Sequence, residues 1–465
     1  MAKRSINVTD ESNGVFKTIF LLAWPVFLEQ IFTTLVGYAD TAMVGSMGAA
    51  ATAAVSISQP PIMLLNGIVM SLGVGITTLV ARAAGAGDTE QVKKLMRHAV
   101  MLIVFLGLPV SALTIALHRV IPQWMGADTD ILEMASVYNL IVCCGRVFMV
   151  VSMTLNSAFR GYGDTKTPLV GNTMMNVINV IFNFLLIYPS RDVRFLGMQL
   201  HFWGAGMGVT GAAVASAIGM AASGFYSLWV AFLRRGEYRI DVRGGWKVDA
   251  ALTKQIVSIS LPAMLERLFM SLAGIFTSRS IASLGTVNIA ANSLCLTAES
   301  ISFMPAFAFQ TAITTLVGQS LGAKKPDLAE KFVRTTLLTG TAVMICTGTG
   351  LFLLSRQIIG IFTPDRAVIE LAALCLRVTA FMQVPQVLAW TISGVLRGAG
   401  DTKINFYITA ATNWLIRTVW SVVLIRVYHF GLVATMYVTL AEIIVRLVLL
   451  YLRYRSGVWK TAIRD

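Results

Sequence analysis

Five carboxylates fall inside long apolar stretches of this sequence: Glu29, Asp40, Glu266, Glu299 and Glu442. An ionisable group is costly in hydrocarbon, so each must have a function or a buried partner. Asp40 is the most distinctive. It lies in FTTLVGYADTAMVG, apolar on both sides and 15 residues after Pro25, which can bend a helix. A carboxylate sunk in such a segment can exchange a proton or bind Na⁺ as an oxygen ligand. Amides that could orient it occur further on. Asn172, Asn176, Asn179 and Asn183 recur at spacings of four, three and four, which puts them on one helical face. Against lipid that stripe would be very unfavourable, so it should face a protein interior. Asn179 and Asn183 are expected to serve the acid. Asn172 and Asn176 fit a polar cavity and plain interhelical hydrogen bonding equally well.

The remaining acids read differently. Glu29 and Glu266 each follow a proline by four residues, which suggests packing at a kink; Glu266 has Arg267 beside it. Glu299, just before SFMPAF, is a candidate for a cavity in the second half. Glu442 and Arg446 stand at i, i+4 and are expected to pair. Enzymatic signals are absent: no HExxH, Walker loop, GxSxG or dinucleotide fingerprint occurs. His98, His118, His201 and His429 show no ligand spacing, and the five cysteines all fall in apolar segments. No resident cofactor is expected.

These residues sit in a chain that is 56% hydrophobic and only 13% charged, with mean hydropathy +0.73. A soluble domain carries about 25% charge. Apolar runs long enough to cross about 30 Å of hydrocarbon recur throughout. Twelve spans are expected, near 15–42, 52–83, 92–117, 131–158, 168–189, 206–233, 255–282, 289–320, 328–354, 368–395, 404–426 and 430–452, with the first retained rather than cleaved. Net charge is +14, and the basic residues sit mostly in loops on one side. The positive-inside rule explains them better than nucleic-acid binding, and puts both termini in the cytoplasm.

The chain is internally repeated. RGYGDTK at Arg160–Lys166 returns as RGAGDTK at Arg397–Lys403, an offset of 237 residues. ITTLV at Ile76–Val80 and Ile313–Val317, Pro25 and Pro262, and Glu29 and Glu266 share that offset. Six spans per copy is an even number, so the copies enter the membrane in the same sense. The expected fold is an all-α membrane protein, two six-helix bundles related by a pseudo-two-fold axis along the membrane normal. Residues 1–233 form the first bundle, 234–254 a charged cytoplasmic connection, and 255–465 the second. The glycines of RGxGDTK allow a tight loop, and its Asp and Thr suit helix N-caps. Asp40 has Thr277 as its repeat partner, so the acid belongs to the first copy alone. The first copy also carries extra residues around Ser190 to Gly206, read as a tolerated insertion in an extracytoplasmic loop, with a gate as the alternative.

At these residues the chain resembles the multidrug and toxic compound extrusion (MATE) family, its NorM-like group above all. The resemblance rests on AWPVFLEQIFTTLVGYADTAMVG, both RGxGDTK loops, and SLGTVNIAANSLCLTAESISFMPAFAFQTAITTLVGQSLGA. It implies a cation-coupled antiporter that exports cationic or amphipathic organic compounds across the cytoplasmic membrane against H⁺ or Na⁺, as a monomer. By position, Asp40 looks like the family's coupling acid, with Asn156, Asn179 and Asn183 as polar companions. Second-lobe acids of some Na⁺-coupled members would fall at Met270 and Gln386, so this chain departs from that pattern; Glu266, one turn from Met270, is a substitute. A lipid-linked oligosaccharide flippase is the alternative. It should place several cations mid-span in the first half, where only Arg146 qualifies. A membrane-embedded transferase would need paired acids or a metal cluster at one face.

Overall fold

The structure is a computed structural model that describes residues 14–195, 198–234, 238–241 and 245–461. Twelve of its helices are long and apolar enough to cross a membrane. They are α1 (Val15–Gly45), α2 (Ala49–Gly85), α3 (Thr89–Ala116), α4 (Thr129–Tyr162), α5 (Lys166–Leu186) and α6 (Gly208–Phe232). Then follow α7 (Ala250–Ala282), α8 (Thr286–Gly322), α9 (Pro326–Leu353), α10 (Arg366–Ala399), α11 (Thr402–Arg426) and α12 (Leu432–Arg455). Each matches one expected span to within a few residues.

The repeated heptapeptide ends two of these helices by the same means. Gly163 and Gly400 take φ of 91° and 83°, a left-handed conformation open to glycine at little cost. The glycine amides bond back to the carbonyls of Arg160 and Arg397, and the Asp164 and Asp401 amides to those of Phe159 and Leu396. This paired closure of the last turn explains why the second glycine of the motif stands in both copies. Asp164 then accepts from Thr167 N at 2.9 Å and Thr167 Oγ1 at 2.6 Å, capping α5. Asp401 does not cap α11; it accepts from Arg453 Nε at 2.7 Å instead.

Contacts divide the described chain into two units. The first holds residues 28–76 and 89–253, as far as they are described; the second holds 14–27, 77–88 and the chain from Lys254 on. In the first unit α6 packs on both α4 and α5. The backbones approach closely: a Cβ on Gly145 would lie 2.7 Å from Ala217 Cα, and one on Gly224 2.8 Å from Phe148 O. Small residues let membrane helices come this near when lipid supplies no hydrophobic drive between them. In the second unit α10 packs on α8, α9 and α12. Its core joins Ile313, Leu316, Val317, Phe332, Val395 and Leu396 to Ile19, Leu22 and Val26 from the start of α1.

The extra residues of the first copy are not a plain loop. They form an antiparallel hairpin, β1 (Pro189–Phe195) and β2 (Met198–Ala205), in which Asp192 faces His201 and bonds it at 2.7 Å. The letters alternate polar and apolar from Asp192 to Phe195 and from Met198 to Phe202, a short strand signal that length alone hides in so hydrophobic a chain.

Candidate functional site

Asp40 lies near the C-terminal end of α1, half-buried. Asn183 of α5, 2% exposed, donates its amide to Asp40 Oδ1 at 2.5 Å. Asn179, one turn earlier, sits between Asn183, Ser216 of α6 and the carboxylate. With its amide one way round it accepts from Asn183 at 3.2 Å and donates to Ser216 at 3.1 Å. Turned over, it donates to Asp40 Oδ1 at 2.8 Å and accepts from Ser216 Oγ at 3.1 Å. An ionised carboxylate only accepts, whereas a hydroxyl does both, so the second orientation satisfies more groups while Asp40 is charged. Asn183 Oδ1 is buried and has no donor. Tyr138 of α4 is within electrostatic reach of Asp40. Ser216 and Tyr138 carry no signal in the sequence that separates them from other span residues.

The asparagine stripe divides between two acids. Asn172 does not approach Asp40; it donates to Glu29 Oε1. Both contacts, Asn172 with Glu29 and Asn183 with Asp40, span 143 residues. So α1 and α5 run parallel and in register over the eleven residues between the acids, a rise of about 16 Å. Odd-numbered spans cross a membrane in the same direction, which permits that match. Asn176 lies between them, buried, with its Nδ2 unbonded. Asn156 is not brought to Asp40 either. It joins a buried hydroxyl cluster, donating to Ser152 at 3.2 Å, while Ser152 bonds Ser223 at 2.7 Å.

Glu29 and Glu266 do not cap kinked backbone. Each is clamped by the arginine of its own copy's RGxGDTK, Arg160 at 2.6 Å and Arg397 at 2.9 Å. The amide that completes each clamp comes from different positions, Asn172 in one copy and Asn405 in the other. Glu442 and Arg446 do approach, at 3.6 Å, and Thr412 also donates to Glu442. Glu299 is half-exposed and feels the charge of Arg417. Arg146 donates to Asn66 Oδ1 at 3.2 Å and to Ile62 O at 3.4 Å. Gln386 accepts from Arg446 at 3.2 Å, and Met270 borders a cavity with Glu266. Among the described residues no three His, Cys, Asp or Glu side chains gather as a metal cluster.

The comparisons with known proteins agree with this architecture. The sequence model of the MatE family matches residues 25–185 and 262–423, one stretch in each copy. A Thermotoga maritima protein described as "Probable multidrug resistance protein NorM" is 27% identical over 451 residues, 97% of this chain and 94% of that protein. A crystal structure of MATE in complex with MaD3S superposes with TM-score 0.88 at 21% identity, covering 98% of this chain and 99% of that one. An outward-facing multidrug resistance MATE family transporter of the MOP superfamily gives TM-score 0.87 at 21% identity, over the same shares.

Proposed function

The chain belongs to the MatE family, whose members are membrane transporters and not enzymes, and from that premise we propose that it is a cation-coupled multidrug antiporter. It exports cationic or amphipathic organic compounds from the cytoplasm, with H⁺ or Na⁺ entering in exchange. The multidrug part of this reading follows the description of the Thermotoga maritima relative. Residues 1–233 and 255–465 act as the two lobes, 234–254 as their cytoplasmic connection, and both termini face the cytoplasm.

One observation carries the coupling reading: Asp40 is the unduplicated in-span acid of the first half, met by Asn183 and within reach of Asn179 on the facing helix. The donor-less Asn183 Oδ1 beside it is an oxygen suited to a cation or to the proton of a neutral Asp40. Carboxylate and amide oxygens also suit Na⁺, a hard cation. Asp40 takes the ion, and the two amides hold the carboxylate in place and exchange donors for acceptors as its charge changes. Drug and ion bind with different preference for the two states of the transporter, which is all that coupling requires. Proton or Na⁺ release to the cytoplasm returns Asp40 to its charged, amide-bonded form.

Asp40→Asn fixes the neutral form. The expected result is a well-expressed protein that fails to extrude ethidium against a gradient in cells lacking other pumps. Near-native extrusion by a well-expressed variant overturns the assignment. Proteoliposomes with H⁺ and Na⁺ gradients imposed separately then identify the ion. The flippase reading is not favoured, since Arg146 is the lone mid-span arginine of the first half and hydrogen-bonds to neutral groups.

A further inference from the structure

The second unit holds a cavity of about 100 Å³ that the coupling chemistry of Asp40 does not use. Arg267, Arg397 and Arg446 line it against a single lining acid, Glu266, with Phe307 and Trp390 as aromatic walls. Glu266 is already engaged, by Arg397 at 2.9 Å and Asn405 at 2.9 Å. Arg446 has Glu442 at 3.6 Å and donates to Gln386. That leaves Arg267. It is exposed at the cavity and makes no hydrogen bond or ion pair among the described residues, while the like charge of Arg397 and the opposite charge of Glu266 both reach it.

One further donor awaits an acceptor. The Nε of Arg397 is buried and unbonded, whereas the Nε of Arg446 faces Glu442 Oε1 at 3.6 Å. A buried donor without an acceptor is costly, and three guanidinium groups against two committed carboxylates, Glu266 and Glu442, leave one surplus positive charge. The surplus is particular to this copy. At the 237-residue offset the counterpart of Arg267 is Gln30, which is neutral. The cavity is therefore short of one anion.

Its size limits what that anion is attached to. Pockets that take whole drug-sized molecules measure about 300–1,000 Å³, so this one receives a group and not a molecule. A carboxylate fits best: planar, two acceptor oxygens, matched to the fork of a guanidinium. Phe307 and Trp390 would flank the ring that bears it. We infer that this cavity is a subsite for the carboxylate of aromatic acids and zwitterions among the transported compounds, with Arg267 as its specificity-determining residue. The inference rests on the export reading above and adds a substrate class to it.

The test uses two dyes that differ by one methyl group. Rhodamine 110 carries a free carboxylate; rhodamine 123 is its methyl ester and a pure cation. Binding of each to the purified, detergent-solubilised chain is read by fluorescence anisotropy. The native protein should bind both. Arg267→Gln should weaken rhodamine 110 about tenfold or more, the loss of one charge-assisted hydrogen bond, and leave rhodamine 123 within about twofold. Retained rhodamine 123 binding shows that the variant is folded. Arg267→Lys should fall between, keeping the charge and losing the fork. Equal losses for both dyes, or unchanged rhodamine 110 affinity, overturn the subsite. A native protein that binds rhodamine 123 and not rhodamine 110 overturns it as well, and leaves the export reading standing. Binding of neither dye counts against export itself.

Discussion

Arg160→Gln isolates the clamp that ties α1 to the end of α4. Glu29 would keep Asn172 and lose the guanidinium that lies 2.6 Å away. The pair is well enclosed, with side-chain exposures of 18% for Arg160 and 8% for Glu29, so solvent screens it little. Breaking a buried ion pair from one side costs about 3–5 kcal/mol, because the remaining charge stays desolvated. The surviving amide puts this case at the low end, about 3 kcal/mol. At about 2–4 °C per kcal/mol for a unit of this size, the melting temperature should fall by about 6–12 °C. Fluorescence-detected size exclusion after heating, in detergent, measures it. Replacing both partners, Glu29→Gln with Arg160→Gln, removes the stranded charge and should recover at least half of the loss. Arg397→Gln should cost a similar amount, since its clamp is buried to the same degree, 14% and 6%. A single variant that melts within about 1 °C of the native protein, or a double variant no better than the single, refutes the account.

Three other outcomes are expected. A cysteine placed at Ser190 in the β-hairpin, on a background without native cysteines, should react with an impermeant maleimide in intact cells, while one at the exposed Lys247 should not; the reverse pattern would invert the orientation. Gln386→Ala should retain ion-driven efflux within about twofold, because Gln386 accepts from Arg446 and has no carboxylate to offer a cation; loss of efflux at normal protein levels would restore a cation site there. Asp249 precedes α7 and bonds Lys94 Nζ at 2.6 Å, which with the Leu252 amide holds its carboxyl near 2, below the 3.8 of a free aspartate. A lowered native pKa stabilises above the unfolded value and is lost as pH falls through the folded one. The melting difference between native and Asp249→Asn should therefore stay flat from pH 8 to 5 and shrink only from about pH 4 toward 2; a change between pH 8 and 6 assigns the titration elsewhere.

Much of this was readable from letters because the membrane simplifies the code. Spans must satisfy their own backbone bonds, so apolar length alone locates α1 to α12. The repeat offset paired Glu29 with Glu266 and Arg160 with Arg397 without revealing that each acid bonds its own arginine. Those residues stand 131 apart in sequence, and no local pattern links them. The spacing of the asparagines gave one face but could not divide it between two acids. That division depends on the register of α1 against α5, which packing sets. Asn156 illustrates the converse. Its type and position suited the acid, yet a closer hydroxyl cluster satisfies it. The hairpin escaped notice because strand alternation is faint beside spans of such hydropathy.

The departures from the repeat are more instructive than its agreements. Both copies keep the Glu–Arg clamp and the left-handed glycine that ends the fourth helix, features that hold a bundle together whatever it carries. The copies part at several charges, Arg146, Glu299 and Arg446 among them, and two of the differences bear on binding. At Asp40 the second copy has Thr277, whose hydroxyl merely bonds back to Ala273 O at 3.0 Å. At Arg267 the first copy has Gln30. One unit thus gains an acid beside amides, and the other gains a base beside an unbonded guanidinium donor. Arg446 and Glu442, also confined to one copy, pair with each other. Asp40 and Arg267 form no ion pair among the described residues, and are better explained by what each unit binds: a cation at Asp40, an anionic group at Arg267. A compound bearing both signs satisfies both preferences at once, whereas a simple cation satisfies one. The acid–ester dye pair separates these cases in a single protein.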